Sequence, residues 1–548
     1  MDDERPTSSR LWQRGLPASL LLLAAYALLS LFMNPGGYLG TDTGAKVATL
    51  DVMHTQGTAR PVLGYWAEDL DPEGRVHPIY DATPVAGDWV HVTTLPMLQL
   101  GRPLWALGGY RLTLLLPMAG AIGAAWAART LARRLAGDAL GWQAFWVVGL
   151  ASPLAIYALD FWEHAPGVAC MLGAVALLAA VVDGEPPVGR ALGAGVLLGL
   201  GATMRTEAFV YTLVAVGIAC LTLVVQRRSL VRPAQVGVLA VVGFAGPWLA
   251  NGLLESAVGG TDRGGRVSGA AGGGFDRLGD RGQEAIVTLL ALRPGTAAEA
   301  LFMGGVTAAL IAGAIVLDRR EDVVRARVLL GMAAALHLVT VLGGLGFVPG
   351  LLAAAPVAIG GLLLLPGSAS GRYAWMVAVT ALPVVWAFQF LGGAGPQWGG
   401  RYGLATSAIL VTLGVVGLAS VGRTAQIGVI GLGALLTISG LLWMHERTHS
   451  FNRLFDQLVE RPEDVIVSRN GFFVREGGAA YSERLWLSAV TEADLDFAAS
   501  VIERSGLDTF AVLDEDPTAA PEVAGADLTG TTEVEVVGVP LFLHSYRL

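Results

Sequence analysis

Along the 548 residues, long apolar runs alternate with short polar breaks. About 20 consecutive apolar residues cross a bilayer as a helix. On that measure the runs predict spans near 16–33, 104–127, 139–158, 166–182, 191–204, 208–226, 234–254, 296–317, 327–345, 351–366, 374–391, 403–420 and 427–444. The pattern therefore predicts a polytopic α-helical membrane protein with about 13 transmembrane helices. Two polar stretches are longer: residues 34–103, and a Gly-rich segment over 255–295. From about 445 the composition changes. Val465–Val467, Thr509–Leu513, Val534–Val537 and Leu541–Leu543 read as strands, and Thr491 reads as the N-cap of a helix running to Ser505. The expected division is a transmembrane domain over 1–444 and a small soluble α/β domain over 445–548.

Composition agrees with that picture. Hydrophobic residues make up 53% of the chain and charged residues 15%, against roughly 25% charged in soluble domains. A net charge of −9 gives no sign of a nucleic-acid partner. Cys170 and Cys220 both lie in apolar runs, so no disulfide framework is expected. Every second break is basic: Arg5, Arg10 and Arg14; Arg129, Arg133 and Arg134; Arg190; Arg227, Arg228 and Arg232; Arg319, Arg320, Arg325 and Arg327; Arg372; Arg423. The positive-inside rule then sets the N-terminus in the cytoplasm and the C-terminal domain outside, in a cell membrane. The first run reads as an uncleaved signal anchor. Lys46 is the one lysine of the chain, an Arg bias expected of a GC-rich bacterial genome.

The candidate chemistry lies in the non-basic breaks. Asp42 follows the first run in Gly40-Thr-Asp-Thr-Gly44, with Lys46 four residues on. Partial desolvation there is expected to raise the basicity of Asp42 and suit it to general-base work; a loop aspartate that merely caps a helix would read the same way. Asp160 and Glu163, or Asp160 and His164, share a face if helical, and the three could hold a divalent cation such as Mg or Mn or simply anchor the loop. Arg205 and Glu207 sit in a tight turn between apolar runs, where ionisable groups are costly. In Gln397-Trp-Gly-Gly-Arg-Tyr402, Arg401 can pair with phosphate, while Trp398 and Tyr402 can stack on a sugar.

This arrangement resembles the GT-C fold of glycosyltransferases, especially bacterial members related to the family 39 protein mannosyltransferases and the aminoarabinose transferases acting on lipid A. The resemblance rests on Gly40-Thr-Asp42-Thr, Phe161-Trp-Glu163-His164, Arg205-Thr-Glu207-Ala and Gln397-Trp-Gly-Gly-Arg401-Tyr402, and covers about four-fifths of the chain. One departure stands out: where the mannosyltransferases carry an Asp-Glu pair, Asp42 is followed by Thr43. The resemblance implies transfer of a sugar from a polyprenyl-phosphate carrier to an extracytoplasmic glycan, lipid or protein acceptor by one inverting displacement. It implies Asp42 as base, Lys46, Arg205 and Arg401 as donor-phosphate ligands, and a pocket with Glu207, Trp398 and Tyr402. The Gly-rich segment would close over the donor. A multispan transporter or lipid flippase, or a non-catalytic envelope scaffold, are the competing readings. A transporter would place its charges near the bilayer midplane.

Overall fold

The computed structural model describes residues 8–79, 82–85, 87–91, 95–258, 278–293, 295–342, 348–388, 398–515, 520–537 and 539–548. Residues 259–277 and 294 of the Gly-rich segment, Gly346 and Gln397 lie outside these residues. Among the described residues, ten helices are long and apolar enough to cross a membrane. They match ten of the thirteen expected spans. The first expected span is the apolar part, Gly15–Ser30, of helix α1 (Ser8–Ser30). The two others are broken. Residues 138–157 form α5 (Asp138–Leu150) and a single turn α6 (Leu154–Tyr157), parted at Ser152-Pro153. Residues 351–363 are parted at Ala355, which precedes Pro356, and a residue before proline is disfavoured in the helical region. The span expected at 104–127 is shifted. Gly108 and Gly109 leave helical geometry inside α3 (Leu95–Thr113), and the crossing helix is α4 (Leu115–Ala136).

Many apolar side chains on these helices face outward, among them Leu213 (77% exposed) and Leu253 (72%). Such surface is stable against lipid and costly against water. The inner faces form one large core running from Leu22 through Leu172 to Leu436. At one end of the bundle the basic breaks are tied together. Arg134 pairs with Asp183 (3.4 Å) and Glu185, Arg190 pairs with Glu185, and Arg232 donates to the Glu185 carbonyl (2.6 Å). This fastens α4, α7 (His164–Val182), α8 (Pro187–Met204) and α10 (Val231–Ala257) at one end. The opposite ends of α7 and α8 carry His164 and Arg205.

The last span runs on past its expected end at residue 444. The helix Arg423–Val459 runs 37 residues, roughly 55 Å at 1.5 Å per residue, and residue 445 lies within it. It leads into a five-stranded sheet in the order β5-β4-β6-β8-β7: β4 (Val465–Ser468), β5 (Leu485–Ser488), β6 (Thr509–Asp514), β7 (Asp527–Val536) and β8 (Val539–Arg547). β4 runs parallel to β5 and β6, and β8 is antiparallel to β6 and β7. The helix Glu492–Arg504 starts on the expected Thr491, whose side chain and that of Asp494 form a reciprocal capping box.

The first polar stretch folds onto this tail. It holds α2 (Thr41–Thr55) and three short strands, β1 (Val62–Leu63), β2 (Ala82–Val85) and β3 (Asp88–His91), in the order β1-β3-β2. Leu63, Tyr65, Val76 and Trp89 share one hydrophobic core with Phe455, Val465, Trp486 and Phe510. The Ser488 amide donates to the Val76 carbonyl (3.0 Å), and the Trp66 indole to the Trp486 carbonyl (3.0 Å). Tail and first loop thus bury apolar surface against each other, in addition to each lying beside the bundle.

Candidate functional site

Asp42 stands in the first turn of α2, where helix amides lack intrahelical partners and favour negative charge. Lys46 follows one turn later on the same face. The loop that delivers α2 is held by Asp160, whose carboxylate accepts from the Leu39 amide (3.0 Å), the Tyr110 hydroxyl (3.1 Å) and the Thr43 hydroxyl. Burial drives the Asp160 carboxyl upward, against the lowering effect of these donors.

Two lines of charge meet here. In the first, Lys46 Nζ donates to Glu163 Oε2 (2.5 Å) and Arg205 Nη1 to Glu163 Oε1 (3.1 Å), while Arg205 Nε donates to Glu207 Oε1 (2.9 Å). The turn supplies this geometry. Arg205 is extended at the end of α8, and Glu207 opens α9 (Glu207–Arg227). In the second line, Asp42 accepts from Arg401 Nη1 (3.3 Å) through Oδ2 and from Arg475 Nη2 through Oδ1. Two aromatic rings lie under the cations. Trp162 underlies Lys46 (5.9 Å) and Arg401 (5.4 Å); Tyr402 underlies Arg205 (5.0 Å) and Arg401 (4.7 Å). Arg401 follows Gly399 and Gly400, both left-handed (φ +76° and +66°), which turn the chain sharply into the site.

Asp42, Lys46, Glu163, Arg205, Glu207, Arg401 and Tyr402 therefore converge as the sequence suggested, but three expectations change. First, burial pushes the Asp42 carboxyl up, but Arg475, Arg401 and Lys46 outweigh it and hold the group below the usual carboxylate range. Asp42 is an ion-paired carboxylate, the opposite of the raised basicity expected from desolvation alone. Second, Asp160, Glu163 and His164 do not aim at one point. Asp160 is engaged by the loop and Glu163 by two cations, while the His164 ring packs between Tyr157 (5.1 Å) and Trp162 (4.3 Å). Among the described residues no group of three or more His, Cys, Asp or Glu is placed to hold a metal. This donor set does not fit Mg or Mn. Third, Trp398 is buried against Trp443 (5.6 Å) and Gly440, and its carbonyl accepts from Tyr157 (2.9 Å), so it shapes the turn from behind. Trp162 is the tryptophan that faces the cations.

Sequence reading missed Arg475 and its neighbour Glu476, which come from a 3-10 segment of the tail, Val474–Glu483. That segment sits directly on α2. A Cβ at Gly44 would come within 1.9 Å of the Arg475 carbonyl, and one at Gly478 (φ +53°) within 2.1 Å of the Tyr38 hydroxyl. The signal was the run Phe472-Phe-Val-Arg-Glu-Gly-Gly478, an Arg-Glu pair flanked by aromatics and glycines. Glu476 accepts from Arg447 Nη2 (2.5 Å), whose Nε also holds the Tyr38 and Leu39 carbonyls (3.0 and 3.1 Å).

No protein-family model matches the chain, and no curated protein matches it. Among solved structures, the chain is similar to the archaeal oligosaccharyltransferase AglB from Archaeoglobus fulgidus, in complex with an inhibitory peptide and a dolichol-phosphate. The two are 12% identical, the match covers 90% of this chain and 69% of that one, and the TM-score is 0.47. It is also similar to ArnT from Cupriavidus metallidurans bound to undecaprenyl phosphate, at 12% identity, 96% and 97% coverage and a TM-score of 0.41.

Proposed function

We propose that this chain is a membrane glycosyltransferase that moves a hexosyl or pentosyl unit from a polyprenyl-phosphate carrier to a hydroxyl of a cell-envelope acceptor on the extracytoplasmic side. The carrying observation is the meeting of Lys46, Arg205, Arg401 and Arg475 around Asp42 and Glu163 at the end of the bundle opposite the arginine-rich breaks. These four cations are held by Asp42, Glu163 and Glu207, and a phosphodiester donor carries the same kind of charge with which a carboxylate now meets them.

The donor's lipid would enter from the bilayer and its phosphate would compete with Asp42 for Arg401 and Arg475. Taking those guanidinium groups frees a carboxylate oxygen and restores its basicity. The acceptor hydroxyl gives its proton to Asp42 while its oxygen bonds to the anomeric carbon. The bond from that carbon to the phosphate oxygen breaks, and its electron pair leaves with polyprenyl phosphate. The leaving charge is met by Arg401, Arg475, Arg205 and Lys46, already fixed in a partly dry site. One displacement inverts the sugar.

The rival transporter reading places charge along a path through the bilayer, whereas this cluster gathers at span ends. Asp42→Asn separates them. We expect transfer from a polyprenyl-phosphate sugar, assayed in proteoliposomes, to fall by about 10³-fold, within the range for a lost general base. Transfer near the wild-type rate in this variant would sink the mechanism.

A further inference from the structure

The tail holds a second feature that this chemistry does not use. From β4 the chain goes to β5 on one side, then returns through Glu492–Arg504 to β6 on the other. At such a reversal a crevice opens at the carboxyl ends of the strands, the usual ligand position in open α/β sheets. Here a cleft of about 510 Å³ lies at that position, with Arg469, Asn470, Phe472, Asp514 and Glu515 in its wall. A second cleft of about 330 Å³ shares Asn470, Phe472 and Glu515 with it, and reaches Thr41 and Glu476. Together they make one trough that leads from the sheet to the residue before Asp42.

Each end of the trough carries a buried polar atom without a hydrogen-bond partner among the described residues: Arg469 Nη1 at the sheet and Glu476 Oε2 at the inner end. Glu476 is only 5% exposed, and an unmet buried acceptor of this kind is costly unless a ligand supplies the donor. Charge narrows the ligand class. The charges in its wall are matched to one another: Arg447 pairs with Glu476, Arg469 with Glu492 (2.8 Å) and Asp514 (3.8 Å), and Glu515 accepts from Asn470 (2.9 Å). An anionic chain would have to break one of these pairs to gain a cation. A neutral polyol is suited: hydroxyls donate to remaining carboxylate lone pairs, the Asn470 amide keeps one donor and one acceptor site beyond its bonds to Glu515 (2.9 Å) and the Phe472 amide (3.0 Å), and the half-exposed Phe472 ring offers a face for sugar C–H groups.

We propose that this trough is an acceptor subsite that binds a neutral oligosaccharide chain and brings its end past Thr41 towards Asp42. The acceptor role rests on the transferase reading; the sugar binding does not. The test uses the full-length protein in detergent micelles and saturation-transfer NMR with neutral linear hexose and pentose oligomers, a hexuronate oligomer and polyprenyl phosphate. We expect a neutral oligomer to bind, and to bind about tenfold more weakly after Asn470→Ala, the loss of roughly one hydrogen bond. Val539→Trp, at an exposed wall position, should block it by filling the trough. Both variants should bind polyprenyl phosphate as wild type does. Preference for the hexuronate, no neutral oligomer bound, or equal binding by wild type and both variants would overturn the subsite. Oligomer binding intact without any polyprenyl-phosphate binding would overturn the transferase reading and with it the acceptor role.

Discussion

Asp42 and Arg475 link the first loop to the tail, and they lie 433 residues apart in sequence. No periodicity or local motif reports such a pairing. Asp42, Lys46, Arg205 and Arg401 were legible because each is a charge stranded beside apolar runs, where ionisable groups are expensive. Arg475 was not, because arginine in a polar tail is unremarked. The metal reading of Asp160, Glu163 and His164 failed for a related reason. Proximity in sequence says nothing of the partners that tertiary structure brings, and here hydroxyls, an amide and two cations arrive first. Removing one preorganised donor to a developing anion costs about 10²–10³ in turnover. Arg475→Ala should therefore lose that much transfer activity, with Arg475→Lys recovering part of it and the thermal midpoint staying close to wild type in the lysine variant. A change of about threefold or less for Arg475→Ala, in steady-state transfer assays, would remove it from the site.

At the scale of elements, most helices were legible from apolar length and two were broken by Ser-Pro and Ala-Pro steps visible in the sequence. What was hidden is contact between elements. α2 meets the Val474–Glu483 segment through backbone at Gly44, where only a missing side chain allows the approach. Both partners there are main chain, so neither can swing aside, and overpacking of this kind costs typically 1–3 kcal/mol. Gly44→Ala should loosen the segment: faster cleavage within Val474–Glu483 in limited proteolysis, and reduced transfer although Gly44 carries no chemistry. Gly64→Ala, where a Cβ meets open space, is the matched control and should leave both unchanged. Equal proteolysis of the two variants would mean that the contact does not position Arg475.

For the whole molecule, the arginine breaks and the charged site lie at opposite ends of the bundle, tied respectively by Glu185 and by Glu163. Under the proposed function the positive-inside rule would put the charged site on the outer side. With Cys170 and Cys220 replaced by serine, Ser482→Cys should react with a membrane-impermeant maleimide on intact cells. Ser229→Cys, exposed beside Arg228 at the other end, should react only after permeabilisation. The reverse pattern would overturn the proposed orientation.

The shared core of first loop and tail has a consequence for how the protein is made. Trp66 leaves the ribosome 420 residues ahead of Trp486, an interval of about 20–80 s at synthesis rates of 5–20 residues per second. Throughout that interval the loop has lost neither its apolar surface nor its need for a partner, and Asp42 stands without Arg475. Maturation is thus timed by the tail: the loop's core and the Asp42–Arg475 pair can form only after the segment from Phe455 to Phe510 has emerged.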